Sequence, residues 1–131
     1  MNEMRIEIDG GRNAFVPGEE ISGKAIWRLE KPPRAVDLRL FWFTRGKGTE
    51  DGTVVEITPF EQPHSDESRS FRFTLPSAPY SFSGKLISVV WALELVATPS
   101  GALARLEIVV APGGQEVHLG TVEIAAASKR L

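Results

Sequence analysis

Residues 35–60 read AVDLRLFWFTRGKGTEDGTVVEITPF. Val36, Leu38, Leu40 and Trp42 alternate with Asp37, Arg39, Phe41 and Phe43. A period of two is the mark of a strand, with one residue set on each face. The first set is wholly apolar and points to a core. The second turns from charged to aromatic along its length. The stretch from Gly46 to Gly52 is polar and glycine-rich, as a hairpin tip of more than two residues would be. Residues 53–60 return as a second strand rich in β-branched side chains.

The same alternation extends outward from this hairpin. Met4, Ile6 and Ile8 define a first strand, stopped at Asp9-Gly10-Gly11. Phe15-Val16 adds a brief one before the turn at Pro17-Gly18. There proline presets φ and glycine supplies the positive φ that follows. A strand is expected over residues 20–29, with Ile21, Ala25, Trp27 and Leu29 on one face, ended by Pro32-Pro33. Residues 61–68 read as a polar loop. Residues 70–75 read as a strand, with Phe71, Phe73 and Leu75 on one face. Residues 76–84 form a structured connection. The strongest strand spans 85–97, and residues 102–110 are its hairpin partner. A weaker strand spans residues 116–126. Eight or nine short strands, turn chemistry at each join and no helical period predict an all-β sandwich of two antiparallel sheets.

Composition agrees. The 131 residues suit one domain, read here as 1–131, and 42% hydrophobic residues suffice for a core. Twelve glycines and nine prolines supply turns. Net charge is −2, with no global basic field to attract nucleic acid. There is no cysteine, which excludes disulfides, thiolate metal sites and cysteine nucleophiles. The first eleven residues are charged and unlike a secretory signal, and no run approaches the roughly 20 apolar residues of a membrane span. A soluble, cytoplasmic protein is expected, with no membrane insertion.

Two segments resemble the arrestin family. Phe15-Val16-Pro17-Gly18-Glu19-Glu20-Ile21-Ser22-Gly23-Lys24-Ala25 is similar to the apolar, Pro-Gly-Glu, apolar, small, Gly pattern that opens arrestin-like N-terminal domains. Phe73-Thr74-Leu75-Pro76, then Pro79-Tyr80-Ser81-Phe82 and Gly84, resembles the family's Leu-Pro and Pro-x-Ser pattern. A long apolar strand follows in both. It holds Trp91 here, where the family more often has tyrosine. With the strands between them these segments cover residues 15–97. The resemblance implies an immunoglobulin-like, arrestin-like sandwich of single-domain bacterial type. It also implies an adaptor role, as in arrestins, the retromer subunit of that fold and bacterial sporulation-control proteins. Arrestins carry two such domains and this chain has room for one, so their interdomain features, receptor and phosphate sensing are not inherited.

No constellation for catalysis stands out. His64 lies in Gln62-Pro63-His64-Ser65-Asp66, where neighbours in one loop are poor preorganisation for a triad. His118 has no partner at ligand spacing, and a metal site needs three or four convergent ligands. Glu50-Asp51 and Asp66-Glu67 read as solvated pairs. Gly46-Lys47-Gly48-Thr49 fails the phosphate-loop pattern, because Gly48 separates lysine from threonine and no helix follows. Trp27, Trp42 and Trp91 lie on apolar faces and read as core. Arg45, Lys47, Arg69 and Arg72 could make a basic area, more simply a solvated face.

The expected function is a non-catalytic, protein-binding adaptor or scaffold without cofactor or metal. Phe41, Phe43, Arg45 and Lys47 are its candidate partner-binding residues. A homodimer is a further expectation, since one arrestin-like domain lacks its tandem neighbour. The alternative is a small-ligand, carbohydrate-type binding sandwich, which would need tryptophans on an exposed face.

Overall fold

The computed structural model describes residues 1–46, 51–84, 87–114 and 117–119. Ten strands follow in chain order: β1 (Glu3–Ile8), β2 (Ala14–Phe15), β3 (Glu20–Arg28), β4 (Ala35–Gly46), β5 (Gly52–Phe60), β6 (Asp66–Thr74), β7 (Phe82–Gly84), β8 (Ile87–Thr98), β9 (Leu103–Val110) and β10 (Val117–Leu119). Short 3-10 turns occupy Asp9–Gly11 and Pro112–Gly114. The smaller sheet runs β1-β3-β6. In the larger, seven-stranded sheet β8 is central. It pairs with β4 along one side and with β9 and β7 along the other.

The long strands are antiparallel, as alternation predicts. Two short pairings are parallel, β2 with β9 and β10 with β7. These depart from the purely antiparallel expectation, because strands of two and three residues leave no periodic trace. The polar loop expected at 61–68 is also shorter than foreseen. β6 begins at Asp66, where Asp66, Glu67, Ser68 and Arg69 pair with Arg28, Trp27, Ile26 and Ala25. Its charged start hides the strand period. Of the strand expected at 116–126, residues 117–119 form β10; residue 116 and residues 120–126 lie outside the described residues.

The core lies between the sheets. Ile21, Ala25, Trp27, Phe71, Phe73 and Leu75 of the small sheet and its margin meet Val36, Leu38, Leu40, Trp91, Leu93 and Leu95 of the large one. Trp27 and Trp91 are fully buried, and each indole N–H finds a carbonyl. Trp27 Nε1 donates to His64 O at 2.8 Å and Trp91 Nε1 to Pro79 O at 2.9 Å. Each bond ties a loop to a core strand and satisfies the buried indole donor. Trp42 is half-buried and packs against the same core.

The two motif segments meet each other. Val16-Pro17-Gly18-Glu19 is a tight turn, closed by Glu19 N to Val16 O at 3.1 Å, with Gly18 at φ 84°. A side chain at that φ would be strained, so glycine belongs there. Gly18 N then donates to Leu75 O (3.0 Å) and Leu75 N to Glu19 O (2.9 Å). Leu75-Pro76 thus ends β6 against the Pro-Gly-Glu turn. Further along, Ser81 is buried and exchanges bonds with Val110: Ser81 N to Val110 O at 2.7 Å, and Val110 N to Ser81 Oγ at 2.9 Å. Both motifs therefore have a structural use, joining the small sheet and the connection at 76–81 to the rest of the sandwich.

Candidate functional site

The candidate residues on β4 sit on the outer face of the large sheet. Val36, Leu38 and Leu40 fill the core, so Asp37, Arg39, Phe41, Phe43 and Arg45 point away from it. Register places Phe41 beside Ala92, Phe43 beside Val90 and Arg39 beside Glu94. One strand further, Ala92 is beside Glu107 and Glu94 beside Arg105. Phe41, Phe43, Val90 and Ala92 form a second, smaller apolar cluster on this outer face.

The two rings stack, with centroids 5.7 Å apart. They are not an exposed aromatic patch: Phe41 is 9% and Phe43 3% exposed. Arginines cover them. The Arg105 guanidinium lies 5.1 Å from the Phe41 centroid and 5.2 Å from that of Phe43, and Arg45 lies 5.2 Å from Phe43. Carboxylates hold the guanidiniums in place. Arg45 pairs with Glu107 at 2.6 Å, Arg105 with Glu94 at 3.0 Å, and Arg39 approaches Glu94 at 3.7 Å. Arg39 Nε is buried without a hydrogen-bond partner among the described residues. The surface thus presents three guanidiniums and two carboxylates over an apolar floor. Cation–π contact and ion pairing both fix the arginines, which lowers the entropy lost when a partner orders them. Beside it, a groove of about 170 Å³ is lined by Asn13, Arg45, Ser83, Ser88, Val90 and Glu107 among others.

The structure brings Phe41, Phe43 and Arg45 together; Lys47 lies outside the described residues. It separates Arg45 from Arg69 and Arg72 of the expected basic area. Arg69 and Arg72 belong to β6 in the opposite sheet. Arg105 and Glu107 were not singled out from sequence. Their alternation on β9 is visible there, but only the β8–β9 register shows that they stand over the Phe pair.

The remaining candidates resolve into structural uses. His64 is exposed, and its backbone does the work, accepting from Trp27 and donating to Glu67 Oε2 at 2.6 Å. Of the three tryptophans, burial of Trp27 and Trp91 leaves Trp42 as the one that reaches solvent. A shallow cleft of about 540 Å³ on the small sheet, lined by Asp9, Ser22, Lys24, Ser70 and Arg72 among others, contains no tryptophan or tyrosine. Among the described residues no group of three or more His, Asp or Glu could hold a metal ion. No helix among them is long and apolar enough to cross a membrane.

Arg12 and Glu19 form an ion pair beside the Pro17-Gly18 turn. Nη1 and Nη2 of Arg12 donate to Glu19, at 2.5 and 3.1 Å, while Val16 N donates to the same carboxylate at 3.0 Å. The Arg12 bonds first, and the Val16 bond second, hold the Glu19 carboxyl below the ordinary glutamate range. The Arg69 guanidinium does the same for Glu67.

No family model and no curated protein matches this chain. Solved structures do. The sporulation control protein Spo0M from Bacillus subtilis superposes with a TM-score of 0.58 at 21% identity, over 84% of this chain and 49% of that one. The chain therefore spans about half the length of Spo0M. A β-glucosidase from Listeria innocua matches with a TM-score of 0.47 at 12% identity, over 89% of this chain and 16% of that one. The likeness to Spo0M establishes the fold: an all-β sandwich of the kind found in half of that protein.

Proposed function

We propose that this protein is an arrestin-like, non-catalytic adaptor of the cytoplasm that binds another protein through the outer face of its large sheet. The observation that carries this reading is the cluster around Phe41 and Phe43. Arginine and aromatic residues dominate the energetics of protein interfaces, and arginines already held over rings need little further ordering. Half of a sporulation control protein shares the fold, which is consistent with a regulatory role. The arrestin-like motifs support the same class but carry no partner, because both are used in holding the sandwich together.

Charge reversal tests the proposal. Arg45 is about half exposed, so Arg45→Glu leaves the core untouched. A partner recovered by crosslinking in the native cell should bind the purified variant at least roughly tenfold more weakly, the loss expected of an interface hot spot. Unchanged affinity would remove this face from the account. A carbohydrate-binding role has less support, since it needs exposed aromatic platforms and two of the three tryptophans are fully buried.

A further inference from the structure

β5 lies at one end of the large sheet, and among the described residues it pairs with β4 alone. An edge strand offers unpaired backbone donors and acceptors, and proteins usually blunt such edges with charge. The two edges of the small sheet are blunted. β1 carries Glu3, Arg5 and Glu7, tied together by ion pairs. β6 turns Glu67 and Arg69 to its inner side opposite Trp27 and Ala25, where they pair at 2.6 Å and Arg69 reaches Glu61 O.

The β5 edge is protected less by charge: Glu56 is its single ionisable residue, beside the irregularity at Val55, and Pro59 blunts its far end. Val54, Val55 and Ile57 are 51%, 39% and 49% exposed. Phe41 pairs with Val54 and Leu40 with Glu56, so Val55 is an extra residue bulged from the ladder. The bulge resets the alternation. Val54 stands opposite Phe41 and Ile57 opposite Arg39, both on the outer face, although three residues apart. An apolar pair therefore lies along an edge to which no other described strand is hydrogen-bonded. Glu56, opposite Leu40 and so on the other face of the strand, is exposed and has no ion-pair or hydrogen-bond partner among the described residues.

We infer that the β5 edge binds an extended segment of a partner protein by strand addition, with apolar side chains against Val54 and Ile57 and a lysine or arginine against Glu56. Charge decides the occupant. Residues 52–60 contain no lysine or arginine, so a second copy added to the same edge supplies no cation for Glu56. Main-chain bonds give such complexes affinity and alternate side chains give selectivity. This inference rests on the adaptor reading and adds a second contact surface, beside the arginine-covered face.

The test uses the full chain and two fluorescent ten-residue probes, alternating valine and threonine between Gly-Ser ends, one with a central lysine and one with a central glutamate. Anisotropy should show the lysine probe binding roughly fivefold tighter, the scale of one cross-strand charge pair. Glu56→Lys should reverse that preference. The double variant Val54→Lys/Ile57→Lys changes only exposed side chains and should bind neither probe, with its circular dichroism unchanged. Equal binding of both probes to all three proteins would overturn the inference. So would a concentration-dependent dimer in sedimentation that the double variant abolishes, since the occupant would then be a second copy. A native partner that binds the double variant as tightly as wild type would remove the edge but keep the adaptor reading. Recovery of no partner by wild type would instead count against the adaptor reading.

Discussion

Glu19 receives hydrogen bonds from Nη1 and Nη2 of Arg12 and from Val16 N–H, at the turn that β6 ends against. Its carboxyl titrates below the ordinary glutamate range in the fold. The unfolded chain therefore takes up the proton first. The stabilisation is complete above the unfolded value, about 4.3, and is lost as pH falls through the lower folded value. Glu67 follows the same sign. Glu19→Gln should lower the melting temperature at neutral pH, and its difference from wild type should shrink below about pH 4, near the unperturbed glutamate value. A constant difference from pH 7 to pH 3 would mean that the ion pair is not the cause. Gly23 makes a separate residue-scale case. It faces inward between Ile8 and Phe71, and a Cβ there would overlap the Glu7 carbonyl oxygen of β1. Because that neighbour is backbone and cannot rotate away, Gly23→Ala should cost about 2 kcal/mol in denaturant unfolding, as overpacking does. A neutral result would show that β1 is free to shift.

At the scale of elements, the connection at 76–81 is held by few bonds, and each is testable. Ser81→Ala removes the acceptor for Val110 N–H in a buried position. An unsatisfied buried donor costs about 1–3 kcal/mol, and chemical denaturation should read a loss in that range. Smaller losses would mean that water replaces the hydroxyl. The strands most legible in sequence were β3, β4 and β8, whose buried faces are unbroken runs of alternating apolar residues. The start of β6 was not legible, because Glu67 and Arg69 occupy inward positions near the sheet margin, where an ion pair substitutes for apolar burial. β2 and β10 were too short to show a period, and their parallel pairing depends on long-range contacts. Of the candidate face, Phe41, Phe43 and Arg45 were legible from one strand. Arg105 and Glu107 come from a distant strand, Glu107 lying 62 residues beyond Arg45, and register rather than local pattern assigns them to it.

The whole molecule combines a sandwich whose motifs are spent on its own assembly with a large sheet whose outer face is covered by paired arginines. Trp27 and Trp91, each bonded to a loop carbonyl, make the two sheets and their connections one cooperative core. Function is then expected at the surface, on the arginine-covered face and at the β5 edge, and not in a cavity. The most direct measurement is photo-crosslinking in the native cell, with the reactive group placed at position 103, an exposed residue on the same outer face as Arg105 and Glu107, and, as a control, at Lys24 on the small sheet. A discrete adduct with one protein is expected from position 103, weakened by Arg45→Glu or Arg105→Glu, and none from position 24. The same adducts from both positions, or none from position 103, would refute binding through the large sheet.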